Sequence, residues 1–401
     1  MSKNQTEFHN FPTKNGKRTD LIYNYEPERI NKELIVRNKE PFNAEPPLKQ
    51  LVGSYVTPKE VFFKRNHGPI PLIDENKHFI SIEGIVPKPL NISVKEIKSD
   101  YKKHTILAAL QCAGNRRDGL LKVKPVKGVI WGPGTIANSY WAGARLRDIL
   151  LDAGIPEDVS QFEYPDAHVW MEAVGGVEED RCYGSSIPLK WAMNIDNDVL
   201  LAYEMNNELL PRDHGYPIRM VVPGVIGARS VKYLNKIIIQ NEESPSFFQR
   251  RDYKILPQDV EEKDAFKYWD KSQSIHEMNV QSVICTPSNQ SKLEVSCNEV
   301  KGYAISGGGR KVTRVEVTFD EGKSWELASL KQEKVGNGYW SWCLWSLKVK
   351  SINPNTTIMC RAWDSASNTQ PELPIWNFRG VMNNCWDKVD SLSPEWPKSN
   401  I

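Results

Sequence analysis

Beyond about residue 276, apolar side chains alternate with polar ones along short segments. Alternating segments occur at 315–320, 340–344 and 358–362, and each predicts a strand with one buried face. Several short strands of this kind, with Gly and Asn turns and almost no helical pattern, are typical of two sheets packed face to face. The sequence therefore predicts a β-sandwich of roughly 120 residues at this end of the chain.

The preceding region has a mixed pattern. Short apolar runs at 106–110 and 236–239 predict buried strands. Over 143–154, apolar side chains recur at helical spacing, which predicts a helix that ends at Gly154. Strands and helices together indicate an α+β fold for this part of the chain.

Two polar segments separate these regions. Residues 1–45 are rich in Asn, Lys, Glu and Pro and predict an extended arm. Residues 241–276 contain prolines and an acidic run, which predicts a surface connection. We therefore expect an N-terminal arm over 1–45, an α+β domain over 46–270 and a β-sandwich domain over 271–401.

Composition limits the kinds of partner. The 401 residues include 52 Lys plus Arg and 50 Asp plus Glu, so the net charge is only +2 and no overall field attracts nucleic acid. No apolar stretch approaches the roughly 18 residues of a transmembrane helix. The 7 cysteines are scattered, without a Cys-x-x-Cys pair, which favours a reducing compartment. We expect neither a nucleic-acid nor a membrane partner.

The most informative motif is the run Leu-Gln-Cys-Ala-Gly-Asn-Arg-Arg at 110–117. Cys112 follows a predicted strand, and the small residues after it allow the backbone to approach a bulky ligand. The guanidinium groups of Arg116 and Arg117 favour a thiolate, which is a nucleophile and a soft metal ligand. An isolated cysteine is more often an inert buried hydrophobe, so the residues alone leave both interpretations open.

Two loop segments, 63–69 and 212–232, concentrate cationic side chains. Because their charges are interspersed with Gly and Pro, these segments suit an anionic group such as a phosphate. A solvated surface explains the same composition. His67 and His214 are candidate donors to such a ligand, although a lone histidine is more often satisfied within the core.

Several longer motifs occur in a fixed order at 111–117, 140–146, 202–206, 211–215, 221–232 and 301–310. Together they resemble the eukaryotic sulfite oxidase family over about residues 48–392. The resemblance implies a molybdopterin domain followed by an immunoglobulin-like dimerisation domain, and hence a homodimer. It also implies two-electron oxidation of sulfite to sulfate at an oxo-molybdenum centre, with Cys112 as the metal ligand.

The same resemblance implies two groups of site residues. Those at cofactor-contacting positions are Arg65, Asn66, His67, Cys112, His214, Arg219, Ser230, Val231 and Lys232. Those at catalytic positions are Cys112, Tyr253, Arg65, Arg117, Arg379, Trp131 and Lys127. Sulfite and other small oxyanions suit a ring of guanidinium groups, which combine charge with forked hydrogen bonding. One family position, usually Asp, is Gly175 here, and Asp180 is the candidate substitute.

The resemblance is to the haem-less, plant-type members of the family. The His-Pro-Gly-Gly haem motif of animal members does not occur in the sequence, so no haem is expected in this chain. Oxygen is then the expected electron acceptor, with a cytochrome as the alternative. Ser399-Asn400-Ile401 resembles the peroxisomal tripeptide, which favours the peroxisome over the cytosol or the mitochondrial intermembrane space.

Two other functions stay open. The molybdenum module of assimilatory nitrate reductase shares the Cys-Ala-Gly-Asn-Arg-Arg loop, and residues 381–386 are similar to it. Arg379 stands where that enzyme typically has an uncharged residue, which favours sulfite as the anion. The second alternative is a non-catalytic molybdopterin carrier, but the presence of Tyr253 and three pocket arginines favours an enzyme.

Overall fold

The computed structural model describes residues 20–288, 299–350, 352 and 356–390, together with the backbone of 13–14 and 17–18. Its strands are β1 Thr13–Lys14, β2 Lys17–Arg18, β3 Ile35–Asn38, β4 Asn43–Glu45, β5 Phe79–Gly84, β6 Leu90–Ser93, β7 Lys103–Gln111, β8 Ile136–Arg145, β9 His168–Ala173, β10 Gly184–Pro188, β11 Leu200–Met205, β12 Glu208–Leu209, β13 Arg219–Val221, β14 Leu234–Gln240, β15 Gln281–Thr286, β16 Glu299–Ile305, β17 Val312–Thr318, β18 Glu326–Leu327, β19 Ser329–Gln332, β20 Cys343–Lys348, β21 Ile358–Asp364 and β22 Asp387–Val389. Its α-helices are α1 Leu48–Leu51, α2 Val94–Asp100, α3 Arg117–Leu121, α4 Leu146–Asp152 and α5 Leu189–Met193.

Two five-stranded sheets form the first part of the chain. One has the order β10-β9-β14-β5-β6, and the other has the order β12-β11-β8-β7 with β13 beside β11. The strands predicted at 106–110 and 236–239 are confirmed within β7 and β14. β7 pairs with β8 along its whole length. Because Cys112 directly follows β7, this pairing fixes the backbone that leads to the thiol.

Two four-stranded sheets, β15-β16-β20-β19 and β18-β17-β21-β22, form the second part. Val300, Val315 and Cys360 are among the buried side chains between them. The segments at 315–320 and 358–362 correspond largely to β17 and β21. The predicted α+β fold followed by a β-sandwich is therefore confirmed.

The strand predicted over 340–344 is wrong in position. β20 begins at Cys343, which faces the core of the sandwich. Trp340 and Trp342 precede the strand and pack instead in hydrophobic clusters of the first part. Leu344 packs against the same cluster as Trp342. The alternating pattern at Trp340 and Trp342 therefore arises because these side chains pack against the first part of the chain. As a result, the sheet that contains β20 is covered on both faces.

The predicted helix over 143–154 begins three residues later than expected. β8 continues to Arg145 because this strand pairs with β7 and β11, and α4 covers only Leu146–Asp152. Gly154 lies just beyond the helix at a φ of +87°, the left-handed conformation that glycine adopts readily at helix ends. Within the described ranges, no helix has both the length and the apolar character needed to cross a bilayer.

The end of the predicted N-terminal arm is a packed part of the fold. Its Glu45 is 1% exposed and accepts hydrogen bonds from the backbone N–H groups of Gly132 and Gly134, at 2.8 and 2.9 Å. Arg37 donates to the same carboxylate at 2.6 Å. A carboxylate is buried only with such donors, so these contacts attach the arm to the loop that follows Trp131.

The segment 241–276 is likewise not a simple surface connection. It includes a π-helical turn, Phe248–Asp252, in which Phe248 and Gln249 are fully buried. The side-chain carbonyl of Gln249 accepts from the backbone N–H of Ser186 at 3.0 Å. The polar composition of this segment therefore serves internal hydrogen bonds in addition to solvent contacts.

The two parts share one hydrophobic cluster. Trp342 and Tyr303 of the second part are fully buried in the same cluster as residues of the first part. The Trp342 indole donates to the carbonyl of Tyr55 at 2.9 Å, and the Tyr303 hydroxyl donates to the carbonyl of Pro133 at 2.7 Å. The Tyr303 hydroxyl also accepts from the side-chain amide of Asn115 at 2.9 Å. Since Asn115 lies three residues after Cys112, the second part supports the cysteine loop directly.

We expect Trp342→Ala to lower the free energy of unfolding by about 3–5 kcal/mol, because it leaves a cavity in a fully buried cluster. Trp325→Ala is the matched control, since Trp325 is half-buried in the turn before β18 and should cost only about 1 kcal/mol. Urea unfolding followed by tryptophan fluorescence and circular dichroism measures both. Equal losses in the two variants would contradict a shared core centred on Trp342.

Candidate active site

A cavity of about 870 Å³, including the part open to solvent, lies beside the end of β7. Its walls come from side chains within the segments 62–69, 173–177, 213–219 and 227–233, though not from every residue of them, and from single residues elsewhere. The sequence-predicted residues on its walls are Arg65, Asn66, His67, Cys112, His214, Arg219, Ser230, Lys232 and Tyr253.

Cys112 is positioned by its backbone. Its N–H donates to the carbonyl of Thr135 at 3.0 Å, and the strand pairing of β7 with β8 ends one residue before it. The N–H of Gly114 approaches the sulfur at 3.4 Å, so the backbone turns closely around the thiol. The residue is only 6% exposed, yet it lines the cavity. The sulfur is thus held in place and available to a bound group.

Arg65, His67 and Tyr253 form a connected chain of polar groups. Arg65 Nη2 lies 3.2 Å from His67 Nδ1, and His67 Nε2 lies 3.1 Å from the Tyr253 hydroxyl. A guanidinium group can only donate, so Nδ1 accepts and the proton of neutral His67 is on Nε2. His67 then donates to the Tyr253 oxygen, and the hydroxyl oxygen of Tyr183 lies within hydrogen-bond reach as an acceptor for the tyrosine proton.

Burial determines the protonation of these two side chains. It lowers the pKa of His67 well below its usual value, with a further contribution from the charge of Arg65. Burial also raises the pKa of Tyr253 well above its usual value, so the phenol stays protonated. Aromatic rings complete this wall, since the ring centroids of Tyr183 and Phe248 lie 4.9 and 4.3 Å from that of His67.

One part of the cavity is strongly basic. His214, Arg219 and Lys232 line it, and Lys64 lies just behind His214, with its Nζ 3.1 Å from His214 Nε2. Lys64, Arg219 and His214 are buried, and Lys232 is partly buried. Lys232 Nζ donates to the carbonyls of Arg65 and Asp213 at 3.0 and 2.8 Å. We call these four residues the cation cluster.

The protein balances the charges of the cation cluster only in part, chiefly through Asp213. Burial, reinforced by Arg219, lowers the pKa of Lys232 to about 7, and burial lowers that of Lys64 to about 8. Burial also lowers the pKa of Arg219 to about 10 and takes that of His214 well below its usual value. Cations with depressed pKa values need a compensating anion, so this part of the cavity suits a phosphate or a similar group.

Arg117 and Arg379 lie beyond the cavity wall, near Cys112 and Arg65. Arg117 donates to the carbonyls of Gly380 and Val129 at 2.9 and 2.6 Å. Arg379 forms an ion pair with Asp252, and burial together with Arg117 lowers the pKa of Arg379 to about 9. Cys112 opposes the effect of burial on the pKa of Arg117, and Arg65 adds to it. The three arginines therefore interact electrostatically with one another, and Arg65 and Arg117 also interact with the thiol.

Trp131 adds a donor to the same region. It is fully buried in the hydrophobic cluster that includes Cys112. Its indole N–H has no hydrogen-bond partner among the residues that the structure describes, and the same is true of Arg65 Nε. Buried donors without partners are costly, so both are suited to a bound acceptor.

Some predicted residues lie elsewhere. Lys127 is exposed and forms an ion pair with Glu262, so it is not gathered with the arginines. Val231 is buried in the large hydrophobic cluster and does not line the cavity. Gly175 and Asp180 are also absent from the cavity wall, and the Asp180 carboxylate accepts from the backbone N–H of Phe247 at 3.0 Å.

A segment of the second part clamps the loop after Cys112. Gly380 accepts from Arg117, as described above, and Met382 N–H donates to the carbonyl of Ala113 at 2.8 Å. Arg116 forms a buried ion pair with Asp387 at 3.2 Å. Residues 380–387 thus contact three successive parts of the cysteine loop.

Sequence reasoning missed four residues that support the site. Asp252 pairs with Arg379, Asn43 accepts from the backbone N–H of Asn66 at 2.9 Å, and Asp213 lines the cavity beside His214. Arg29 binds Asp213. Their positions depend on tertiary packing, and the polar composition around Arg29 and Asn43 gave no periodic signal.

Cys112 would need partners outside the protein to bind a metal. Among the described residues, no group of three or more His, Cys, Asp or Glu side chains could hold a metal ion. A single thiolate beside a cationic cavity therefore suits a metal that arrives with an anionic organic ligand supplying the other donor atoms.

Two family models match the chain. Residues 67–248 match an oxidoreductase molybdopterin binding domain, and residues 272–392 match a Mo-co oxidoreductase dimerisation domain. In fold, the chain is similar to the crystal structure of the sulfane dehydrogenase SoxCD from Paracoccus pantotrophus, with a TM-score of 0.72. That similarity covers 90% of this chain and 87% of the other at 24% identity, so it bears on the fold alone.

Curated relatives are more similar in sequence. A sulfite oxidase from Arabidopsis thaliana is 42% identical over 388 residues, which cover 93% of this chain and 97% of that protein. The mitochondrial sulfite oxidase of Homo sapiens is 43% identical, with 89% of this chain and 65% of that protein covered. A nitrate reductase (NADH) 1 from Phaseolus vulgaris is 40% identical, but the match covers only 41% of its length.

The cation cluster predicts a pH dependence of stability in cofactor-free protein. The pKa of Lys232 is about 7 in the fold and returns to its ordinary, higher value on unfolding. At pH values between these two, Lys232 is protonated in the unfolded chain and neutral in the fold. The contribution of Lys232 to the free energy of unfolding therefore rises by on the order of 2 kcal/mol from about pH 7 to about pH 9. Lys232→Met should remove this increment.

Urea unfolding of cofactor-free protein at the two pH values measures the difference. The Met substitution also leaves backbone carbonyls without their donor and so lowers stability at every pH. The change of stability with pH, and not its absolute value, is therefore the readout. Lys263→Met is the control, since that side chain is 76% exposed. A pH dependence that is the same in Lys232→Met as in the wild type would contradict the assigned charge state.

Proposed function

Because this chain belongs to the sulfite oxidase family of molybdopterin oxidoreductases, we propose that it oxidises sulfite to sulfate, with Cys112 as the protein ligand of molybdenum. The observation that carries the proposal is the location of Cys112. Its buried thiol lies on the wall of a cavity lined by cationic side chains, and Arg65 and Arg117 interact electrostatically with it. This arrangement combines a soft metal ligand with sites for two different anions.

The residues present fit the molybdopterin cofactor. Asp213 balances the cation cluster only in part, because the pKa values of Lys232 and Lys64 stay lowered, and the phosphate of the cofactor would supply the remaining negative charge. Arg219, Lys232 and His214 would hold this phosphate, with help from Ser230 and Asn66. Cys112 would hold the metal. When bound, the cofactor supplies the oxygen transfer and the two-electron redox chemistry.

The protein would contribute charge and orientation for the substrate. We assign sulfite binding to Arg65, Arg117 and Arg379, because guanidinium groups match an oxyanion in both charge and geometry. The N–H of Trp131 is a further donor for the anion, since it is buried without a partner in the described structure. The mutual repulsion of the arginines would be relieved when a dianion binds.

Tyr253 would act as a fixed hydrogen-bond donor. Its oxygen is occupied by His67 Nε2 at 3.1 Å, which orients the phenol, and its proton would turn from Tyr183 to an oxygen of the substrate or product. The aromatic wall of Tyr183 and Phe248 limits the access of water and strengthens these electrostatic interactions. Lys127, which is paired with Glu262 at the surface, has no assigned role in this scheme.

We further propose oxygen as the electron acceptor, so that sulfite, water and oxygen give sulfate and hydrogen peroxide. The resemblance to haem-less plant-type members supports this, with an external cytochrome as the alternative acceptor. The dimerisation-domain match supports a homodimer, and we retain 46–270 and 271–401 as the two domains. Ser399-Asn400-Ile401, on which the peroxisomal proposal depends, lies outside the described residues.

Nitrate reduction is the nearest alternative, because a nitrate reductase is also among the relatives. Purified protein loaded with molybdenum cofactor should oxidise sulfite with ferricyanide or oxygen, and should reduce nitrate with a reduced dye far more slowly. Dominant nitrate turnover would favour the alternative. Bound cofactor without turnover of either anion would indicate a carrier.

Cys112→Ser should abolish sulfite turnover, because serine lacks the soft thiolate needed for the metal. Thermal unfolding should change little, since the substitution alters one atom at a cavity wall. Molybdenum content, pterin content and steady-state turnover are measured together. Full activity in this variant would contradict the role assigned to Cys112.

Arg379→Met should raise the KM for sulfite roughly 10- to 100-fold, the usual effect of losing a hydrogen bond to a charged group. The variant also leaves the carboxylate of Asp252 without its partner. Arg379→Met combined with Asp252→Asn separates the two effects, since it removes that carboxylate. If KM returns to the wild-type value in the double variant, Arg379 acts by neutralising Asp252 and not by binding sulfite.

A further inference from the structure

The N-terminal segment 20–33 reaches the cation cluster through one side chain. Arg29 Nη2 lies 2.8 Å from Asp213 Oδ1, and Arg29 Nε lies 3.1 Å from Asp213 Oδ2. Both side chains are largely buried, with 14% and 8% exposure. This is the forked, two-oxygen contact in which arginine binds a carboxylate most strongly.

Arg29 is itself held in place. Its Nη2 donates to Glu26 Oε2 at 2.6 Å, and Glu26 Oε1 accepts from the backbone N–H of Ile70 at 2.9 Å. The guanidinium group also lies over the ring of Phe42, 3.8 Å from its centroid. These contacts connect the segment to the loop that follows His67 and fix the direction of the guanidinium fork.

Asp213 contacts both the cavity and the cation cluster. It lines the cavity, directly precedes His214, and accepts through its backbone carbonyl from Lys232 Nζ at 2.8 Å. Its negative charge also acts on Lys64 and Lys232, where it opposes the effect of burial on their pKa values. A carboxylate here can therefore pair internally with the very cations that an anionic ligand would use.

We propose that Arg29 is a positioning residue for the cofactor phosphate, because it holds the carboxylate of Asp213 away from Lys64 and Lys232. The guanidinium group occupies the carboxylate of Asp213 from outside the cavity, so this carboxylate screens the ammonium groups less and leaves them available to an anionic ligand. Without Arg29, the carboxylate competes with the phosphate for the same ammonium groups. This inference rests on the proposed function, since it takes the anion of the cavity to be that of molybdopterin.

The test compares Arg29→Met, Asp213→Asn and the combination of both, as full-length protein. Cofactor retention is measured as pterin fluorescence after gel filtration and oxidation. Binding of inorganic phosphate to cofactor-free protein is measured by the rise in Tm. We expect Arg29→Met to weaken phosphate binding about tenfold, within the usual range for coupling between neighbouring sites, and to lose cofactor.

The double variant distinguishes charge from packing. Removing the carboxylate should restore phosphate binding and cofactor retention in the Arg29→Met background. Asp213→Asn alone should bind phosphate at least as tightly as the wild type, which keeps the test decisive if Arg29→Met folds poorly. Arg147→Met is the matched control, because Arg147 also has 14% side-chain exposure and two carboxylate partners, Asp148 and Glu157, but neither of these carboxylates lines the cavity.

Three results would overturn the inference: unchanged binding in Arg29→Met, no recovery in the double variant, or weaker phosphate binding in Asp213→Asn. A failure of the proposed function would look different. In that case wild-type protein produced in a host that makes molybdenum cofactor would itself retain no pterin. This result would not depend on how the variants rank in their affinity for phosphate.

Discussion

The protein buries more positive charge around its cavity than its nearby carboxylates balance. Lys64 and Arg219 are buried and interact with Lys232, and Arg117 and Arg379 are buried and interact with Arg65. Arg65 and Arg117 also interact with the thiol of Cys112. Ionised groups are expensive to bury, so the packing that holds them there works against the stability of the free chain. Anion binding offsets this cost, so a ligand that binds the folded chain also raises its free energy of unfolding.

The surrounding structure must therefore be rigid enough to hold like charges together. The pairing of β7 with β8 fixes the strand that leads to Cys112, and residues 380–387 clamp the loop that follows it. Tyr303 and Trp342 extend the hydrophobic cluster of the first part into the sandwich. The second part therefore supports the site structurally. It also matches the dimerisation-domain model.

Much of the architecture could be predicted from the sequence. Period-two alternation was sufficient for β17 and β21, because those strands have one buried and one partly solvated face. It failed at Trp340 and Trp342, because their side chains are buried against the other part of the chain and periodicity cannot distinguish one core from another. Cys112 and the segments around Arg65 and Lys232 were recognisable as motifs.

The contacts made by Arg29 and Glu45 were not predictable in this way. Both lie in a polar stretch that resembles an unstructured arm, and each is buried only because a distant partner, Asp213 or the loop at Gly132, supplies the matching groups. Such pairings join residues roughly 90 to 180 positions apart, and local sequence patterns contain no information on them.

The clamp at residues 380–387 has a consequence for biosynthesis. The loop after Cys112 and the groups that hold its backbone, Gly380, Met382 and Asp387, lie more than 260 residues apart in the chain. During translation the loop is therefore made long before the segment that secures it. A large group bound beside Cys112 would meet the complete framework only after residue 387 has been synthesised and has docked.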